Sequence, residues 1–187
     1  DNTSLTITAA TASALVLDAN SRISLSNNDS GTSNTVFGYA AGASIDAGSN
    51  YNVFIGHQVS DATMNDAIYN VGIGYQALTD LTDGDYNICI GGVAGENITT
   101  GSQNVLIGTS CGDGITGADN NVGIGHDALT SASLSASGTV AIGTSALGAL
   151  TSGSSNTAVG YRAASATTNS AGNVAIGYDA MKLCNVS

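Results

Sequence analysis

The sequence predicts an all-β fold, a parallel β-solenoid or β-roll, and three observations support this class. A five-residue phrase ending in glycine recurs nine times, at steps of 17 or 18 residues. The 187-residue chain contains no proline, so every strand N–H is available to pair with an adjacent coil. Only 9% of the residues are charged and 42% are hydrophobic, which argues against disorder. The alternating step indicates a fixed strand joined by a loop that tolerates one extra residue.

The repeated phrase has the pattern N-V-x-I-G and predicts one short strand in each of nine coils. Its copies are NTVFG at 34–38, NVFIG at 52–56, NVGIG at 70–74, NICIG at 87–91, NVLIG at 104–108, NVGIG at 121–125, TVAIG at 139–143, NTAVG at 156–160 and NVAIG at 173–177. Side chains alternate along a strand, so the V and I columns share one face, which we expect to be the interior. The column between them is mostly Gly or Ala and predicts a nearly flat outer face.

Small residues also recur three positions after each glycine, and this column predicts a confined interior position. Cys89 and Cys111 lie in small-residue columns and are interpreted as packed side chains. With Cys184 they form an odd set without metal-ligand spacing, so neither a disulfide framework nor a zinc site is indicated. We expect two short strands per coil, which enclose little volume. A homotrimer packed through the flat Gly/Ala face would bury the additional apolar surface.

An asparagine opens eight of the nine phrases, and Thr139 opens the other. Stacked coils of a parallel solenoid lie about 4.8 Å apart, so identical amide side chains can hydrogen-bond from coil to coil. The sequence therefore predicts a structural ladder rather than a ligand-binding row. Its members are Asn34, Asn52, Asn70, Asn87, Asn104, Asn121, Asn156 and Asn173.

Two segments differ in pattern along the chain. Residues 1–33 do not follow the repeat and hold three short alternating runs at 4–8, 14–17 and 22–26, which predict a short β-meander or an intertwined β-prism neck. Residues 34–187 form the predicted solenoid domain. Its last residues stop within a repeat, and we expect the natural protein to continue.

Charge and hydropathy exclude two classes of partner. The chain carries 3 Lys and Arg against 14 Asp and Glu, a formal charge of −11, and no cation lies between Arg22 and Arg162. Without a basic surface to neutralise phosphates, we expect no binding to nucleic acid. The apolar runs are only a few residues long, so we expect no membrane insertion.

The pattern N-V-x-I-G-x-x-A resembles the head repeat of YadA-like trimeric autotransporter adhesins. It is still more similar to the N-T-A-I-G-Y-x-A-L arrays of phage tail-fibre and other virion fibre proteins. Residues 139–147, 156–164 and 173–181 carry the likeness best, and it covers residues 34–181. The resemblance implies a left-handed trimeric β-roll that reaches and holds host surfaces.

The coils are longer than the usual adhesin-head repeat, and the sequence shows no coiled-coil stalk or membrane anchor. These departures favour a tail fibre of a virion, with other fibre proteins and a host polysaccharide or receptor as partners. The alternative is the head of a bacterial adhesin at the cell surface. A spacer rod without a ligand is a third hypothesis.

The tyrosines fall in two columns, which makes them the candidate glycan-binding residues. Tyr51, Tyr69 and Tyr86 precede the asparagine of their phrase, whereas Tyr39, Tyr75, Tyr161 and Tyr178 follow the glycine. Neighbouring coils bring such rings within stacking distance, roughly 4.5–7 Å between centroids. A structural ladder is one interpretation, and a strip that stacks on sugar rings is the other. His57 and His126 share the second column without a carboxylate or cysteine at ligand spacing, which leaves an ion site on a trimer axis as a weaker alternative.

Asp80, Asp83 and Asp85 lie in one loop and are the candidate metal ligands, since carboxylate oxygens at this density are typical of Ca²⁺ sites. Ordinary Asp-Gly turn chemistry also explains them, and the G-G-x-G-x-D repeat of calcium β-rolls is missing. We therefore favour turn chemistry and expect no cofactor.

We expect no enzymatic activity. Hexapeptide acyltransferases also have about 18 residues per coil but need an apolar residue every six. Positions six and twelve after Ile73 are Thr79 and Asp85, so that period fails. A glycan-cleaving tailspike needs paired carboxylates, and no pair recurs between coils. An ice-binding solenoid would need a regular threonine array, and nucleophile-elbow, P-loop and dinucleotide motifs do not occur in a usable context.

Overall fold

The computed structural model describes residues 31–131 and 134–182. Within these ranges it contains nine strands of three residues each. They are β1 (Thr35–Phe37), β2 (Val53–Ile55), β3 (Val71–Ile73), β4 (Ile88–Ile90), β5 (Val105–Ile107), β6 (Val122–Ile124), β7 (Val140–Ile142), β8 (Thr157–Val159) and β9 (Val174–Ile176). Residues 1–30 of the predicted neck, and Cys184, lie outside the described residues.

Each strand pairs in parallel with the next strand along the chain, so the sheet order is the sequence order from β1 to β9. Between β2 and β3, Val53 lies opposite Val71 and Ile55 opposite Ile73. The other pairings keep the same register of phrase against phrase. A chain that adds one parallel strand per turn is a parallel β-solenoid, here of about eight turns. The predicted all-β, parallel solenoid class is confirmed.

Each described coil has one regular strand, so the expectation of two strands per coil is wrong. The rest of the coil uses left-handed backbone conformations, for example at Gln76 (φ 53°), Leu78 (φ 55°) and Tyr86 (φ 57°). Such residues cannot extend a strand. Their N–H groups still reach the next coil: the N–H of Asp80 donates to the carbonyl of Glu96 over 3.0 Å.

The faces of the strands are the reverse of the prediction. The middle residues of the strands point inward, and Phe54, Cys89 and Leu106 are fully buried. The flanking columns point outward, and Ile107 and Ile124 each remain 36% exposed. The predicted interior of Val and Ile columns, and the predicted flat Gly/Ala outer face, are therefore wrong.

The loops explain this inversion, because they supply most of the bulk of the core. The largest buried loop side chains are Met64, Leu78, Leu81, Ile98, Ile115, Leu129, Leu147 and Leu150. They leave little room behind the strands. A Cβ on Gly72 would lie 2.6 Å from Val59 Cγ1 and 3.4 Å from Leu78 Cδ1. The middle column is small wherever loop side chains already fill the space.

The column three residues after the glycine is interior, as predicted. Ala77, Ala94 and Ala128 are fully buried. Cys89 and Cys111 are buried free thiols. Burial, with the neighbouring Cys111, raises the pKa of Cys89 well above its ordinary value, and burial raises the pKa of Cys111 to about 12. Both thiols are packing groups, as expected.

The glycine that ends each phrase is required by the close approach of successive coils. At Gly91 the backbone has φ 140°, and a Cβ would lie 2.4 Å from the carbonyl oxygen of Gly108. From Gly38 to Gly160 the corresponding distances to the next phrase glycine are 1.9–2.8 Å. A side chain at these positions would force the coils apart, which explains why the phrase always ends in glycine.

Candidate functional site: side-chain ladders, aromatic columns and an apolar strand face

The phrase-opening asparagines are bonded from one coil to the next, and all of them except the half-buried Asn173 are buried. The backbone N–H of Asn70 donates to Oδ1 of Asn52 over 2.8 Å, and that of Asn87 donates to Oδ1 of Asn70 over 2.9 Å. The Asn87 Nδ2 also donates to the carbonyl of Gly101 over 2.8 Å, near the end of its own coil. Each amide thus joins its own coil and the preceding one. Groups bonded in this way hold the rod together and are unavailable to a ligand.

This asparagine ladder is interrupted where Thr139 replaces asparagine. The N–H of Thr139 still donates to Oδ1 of Asn121 over 3.0 Å. The Nδ2 of Asn121 and the Oγ1 of Thr139 are nevertheless buried without a partner. One coil later the ladder resumes, and the N–H of Asn173 donates to Oδ1 of Asn156 over 2.9 Å.

A second ladder of side-chain oxygens runs two residues before the asparagines. The N–H of Ile68 donates to Asp85 Oδ1 over 2.8 Å, that of Asp85 to Ser102 Oγ over 3.0 Å, and that of Ser102 to Asp119 Oδ1 over 2.7 Å. It continues through Ser137 and Ser154. This oxygen ladder was not predicted from the sequence. The signal was a short oxygen-bearing residue at this position in most coils.

Two carboxylates of the acidic loop at 80–85 already accept hydrogen bonds within the protein, one of them as part of the oxygen ladder. Asp85 accepts the Ile68 N–H, and Asp83 accepts a hydrogen bond from Asn65 Nδ2. That bond is the first cause of the lowered pKa of Asp83. In residues 31–131 and 134–182, no group of three or more His, Cys, Asp or Glu side chains is placed to hold a metal ion. The candidate ligands Asp80, Asp83 and Asp85 are therefore not brought together as one site.

Two further carboxyl groups lie in successive coils, at Glu96 and Asp113. Burial, with Asp80 and Asp113, raises the pKa of Glu96. Burial also raises the pKa of Asp113, against a hydrogen bond of 2.8 Å that Thr130 Oγ1 donates to its Oδ1. Asp113 borders a cavity of about 270 Å³, which is lined by Asn97, Asp113, Gly114, Thr116 and Thr130.

The first aromatic column consists of Tyr51, Tyr69 and Tyr86. Successive ring centroids are 4.8 Å and 5.1 Å apart, and in each pair the planes differ by 11°. The rings are stacked face to face, and each of the three tyrosines is about half exposed. Because the inner faces contact each other, sugar rings could reach only the outer faces and the hydroxyl edges. All three residues have left-handed backbone conformations, with φ of 57–62°.

The second aromatic column follows the phrase glycines and is discontinuous. Tyr39, His57 and Tyr75 form one stack, with centroid distances of 5.1 Å and 5.5 Å. Tyr161 and Tyr178 form another, at 5.4 Å. His126 lies between these stacks, and its Nδ1 is 3.0 Å from Asp127 Oδ2. Asp127 is the next residue in the chain, so this contact does not contradict the expectation that no carboxylate lies at metal-ligand spacing.

The V and I columns of the nine strands form a continuous apolar surface, here called the outer strand face. Its sixteen Val, Ile and Phe residues are accompanied only by Thr35 and Thr157, and no charged residue lies in the strands. Its most exposed apolar members are Phe37, Ile88, Ile107, Ile124, Val174 and Ile176. These columns are evident in the sequence, where they were expected to lie inside the coil.

These features define a class: a repeat protein that forms a parallel β-solenoid rod. Internal ladders of hydrogen bonds join its coils, and one of its faces is apolar. No helix in the described part of the chain is long and apolar enough to cross a membrane. Comparison of the chain with protein-family models, with curated proteins and with solved structures finds no match.

Proposed function

We propose that this chain is a structural and adhesive fibre segment without enzymatic activity. In this proposal it is a homotrimeric rod within a phage-type tail fibre of a virion, and it attaches to a polysaccharide on the host surface. The observation that carries the proposal is the outer strand face, which runs through all nine strands of a rod whose core is already filled. Extended apolar strips on a polar surface mark interaction sites.

A second copy of the chain is the occupant that fits this face. The face repeats with the spacing of the coils, about 4.8 Å, and another rod with the same spacing can match it along its whole length. The chain carries a formal charge of −11, but its strands contain no charged residue. Identical copies can therefore approach strand to strand while their acidic loops stay in solvent.

The two unlike columns of the outer strand face favour a ring over a two-fold pair. One column is mostly Val and the other mostly Ile, for example Val105 and Ile107 in β5. In a ring of three, the Val column of one copy meets the Ile column of the next, and the contact closes around the axis. The trimer interface is then the outer strand face, since the Gly/Ala column proposed from sequence is buried.

The attachment part of the proposal is supported by the exposed tyrosines and by the scarcity of charge around them. Tyrosine offers a rigid apolar ring and a polar hydroxyl, and both suit contact with sugars. Tyr69 is 45% and Tyr75 is 55% exposed. Loops of 17- and 18-residue coils place such side chains on the outside of the rod.

The trimer is tested by light scattering, with and without unheated SDS. We expect a mass of about 55 kDa, three times the chain mass of 18.3 kDa. Ile90→Asp puts a charge on the outer strand face and should give a folded monomer by circular dichroism. Asn120→Asp adds the same charge at an exposed loop position and should leave the trimer unchanged. A wild-type monomer, or an Ile90→Asp trimer, would contradict the interface.

Attachment is tested by applying the labelled trimer to an array of neutral and acidic polysaccharides. We expect binding to at least one neutral polysaccharide, and loss of that binding when the exposed tyrosines are replaced by alanine. A folded trimer that binds nothing on the array would overturn adhesion and leave a spacer rod.

A further inference from the structure

The second aromatic column contains a gap at Gly92, and Tyr75 borders it. The ring of Tyr75 stacks on His57 at 5.5 Å, with 22° between the planes. The next positions along the column are Gly92 and Thr109. This order follows from the backbone, since the Val93 N–H donates to the Tyr75 carbonyl and the Ser110 N–H to the Gly92 carbonyl, over 2.8 Å and 2.9 Å. One face of the Tyr75 ring therefore has no side chain of the next coil above it.

The fold does not require glycine at this position. A Cβ on Gly92 would meet only Thr109 Cγ2, at 4.0 Å, which is ordinary van der Waals contact. The adjacent Gly91 is different, because its Cβ would lie 2.4 Å from the Gly108 carbonyl oxygen. Other coils carry tyrosine, histidine or threonine in the column of Gly92. The gap is thus a property of this coil and not of the solenoid.

The gap has the thickness of one ring. Thr109 lies two coils from Tyr75, about 9.6 Å along the rod at about 4.8 Å per coil. A ring held midway would lie about 4–5 Å from each side, which is contact distance for carbon atoms and for stacked rings. Thr109 is exposed and offers a methyl group and a hydroxyl to such a ring.

Charge near the gap selects against anionic ligands. Among the described residues the only Lys and Arg side chains are Arg162 and Lys182, and both contact Asp179, at 3.6 Å and 3.3 Å. They lie four or more coils away from Gly92 along the chain. An acidic rod without a local cation repels carboxylate or sulfate groups, so the ring that fits is uncharged.

Resting on the attachment function proposed above, we propose that the gap over Gly92 is a binding site for one neutral hexopyranose of a surface glycan. The C–H face of the sugar lies on the free face of Tyr75, and its hydroxyls bond to the Thr109 hydroxyl and to water. His57 supports the opposite face of the tyrosine ring. This site differs from the Tyr51–Tyr69–Tyr86 column, whose inner ring faces are already in mutual contact.

The site is tested by NMR titration of the trimer with methyl β-D-galactopyranoside and methyl β-D-glucopyranoside, observing the Tyr75 ring protons. We expect saturable shifts for at least one sugar. Tyr75→Ala should weaken binding about tenfold or more. Gly92→Tyr should complete the stack, abolish binding and leave the thermal stability equal or higher.

His126→Tyr is the matched control, since it adds a tyrosine to the same column between Thr109 and Thr144. This substitution removes only the exposed contact between His126 and Asp127, which contributes little to stability. Binding should stay within about twofold of wild type. Absence of any Tyr75 shift in the wild type, or unchanged binding in Gly92→Tyr, would overturn the site.

The polysaccharide array separates failure of the site from failure of the proposed function. If Gly92→Tyr still binds the array as the wild type does, the site is wrong and attachment stands. If the wild type binds nothing on the array, attachment itself fails. If Gly92→Tyr dissociates the trimer, the gap is a contact between copies, and the sugar site is overturned.

Discussion

The Oδ1 of Asn70 accepts two hydrogen bonds from Asn87, one from the backbone N–H over 2.9 Å and one from Nδ2 over 3.1 Å. Asn87 in turn offers its own Oδ1 to Asn104, over 3.1 Å and 3.0 Å. Asn70, Asn87 and Asn104 are all fully buried. Loss of one amide therefore leaves polar groups without partners in two coils at once.

We predict that Asn87→Ala destabilises the protein by about 2–4 kcal/mol, because it leaves the Asn104 N–H without an acceptor and the Gly101 carbonyl without a donor. Urea unfolding followed by circular dichroism measures this loss. Asn120→Gly is the control: Asn120 is exposed, lies outside the ladder and has φ 60°, which glycine adopts freely. A change below about 0.5 kcal/mol in both variants would show that the ladder contributes nothing to stability.

The interruption of the ladder predicts a stabilising substitution. Thr139→Asn should raise the free energy of unfolding by about 1 kcal/mol. Its Oδ1 would accept the N–H of Asn156, as Asn156 Oδ1 accepts that of Asn173, and the unpartnered Thr139 hydroxyl would be removed. Thr139→Val keeps the shape without the amide and serves as the comparison. Equal stability of the Asn and Val variants would refute the hydrogen-bond explanation.

Two adjacent glycines give a matched pair for the packing of successive coils. Gly91→Ala should destabilise by more than about 4 kcal/mol, since its Cβ meets the Gly108 carbonyl at 2.4 Å and its φ is 140°. Gly92→Ala should change stability by less than about 0.5 kcal/mol, because its Cβ has open space. Thermal unfolding of the two variants side by side measures the difference. Similar melting temperatures would contradict the close approach at Gly91.

Asp113 gives a prediction for pH dependence. Burial raises its folded-state pKa above the ordinary 3.8, so the folded protein binds this proton more readily than the unfolded chain does. This contribution to stability is present below pH 3.8 and is lost as pH rises through the folded-state pKa. Asp113→Asn should therefore be more stable than wild type at pH 7, with a free energy of unfolding higher by less than about 1 kcal/mol because the group is partly exposed. At pH 3 the substitution should give no such gain.

The measurement for Asp113→Asn is the melting temperature at both pH values. Asparagine keeps an oxygen that can accept the Thr130 hydroxyl, so the comparison isolates the charge. An equal gain at pH 3 and pH 7 would mean that packing, and not ionisation, causes the effect.

The recurrence of the phrase was sufficient to predict the solenoid and the pairing of strands. Identical phrases at a fixed step pair with each other, so Val53 meets Val71. Alternation within a three-residue strand defines two faces but does not say which one is inside. That depends on where the bulk of the core comes from, and the loop residues Leu78, Leu81 and Leu129 lie outside the phrase in which the alternation was sought.

The side-chain columns could also be predicted in part, because residues that repeat at a fixed step lie beside each other in successive coils. Tyr51, Tyr69 and Tyr86 stack at the distances that the coil spacing predicts. The oxygen ladder was missed because Asp85 and Ser102 differ in type while serving the same function. The gap at Gly92 could not be distinguished in sequence from the glycines that backbone contacts require, since only the structure shows the open space around it.

Every described strand contacts only the strand before it and the strand after it in the chain. A coil could thus be deleted or duplicated, and the two cut surfaces would present the same glycine, asparagine and strand register to each other. Each such event would change the length of the rod by about 4.8 Å and leave its cross-section untouched. The length of the rod can therefore evolve in steps of one 17- or 18-residue coil, independently of its cross-section.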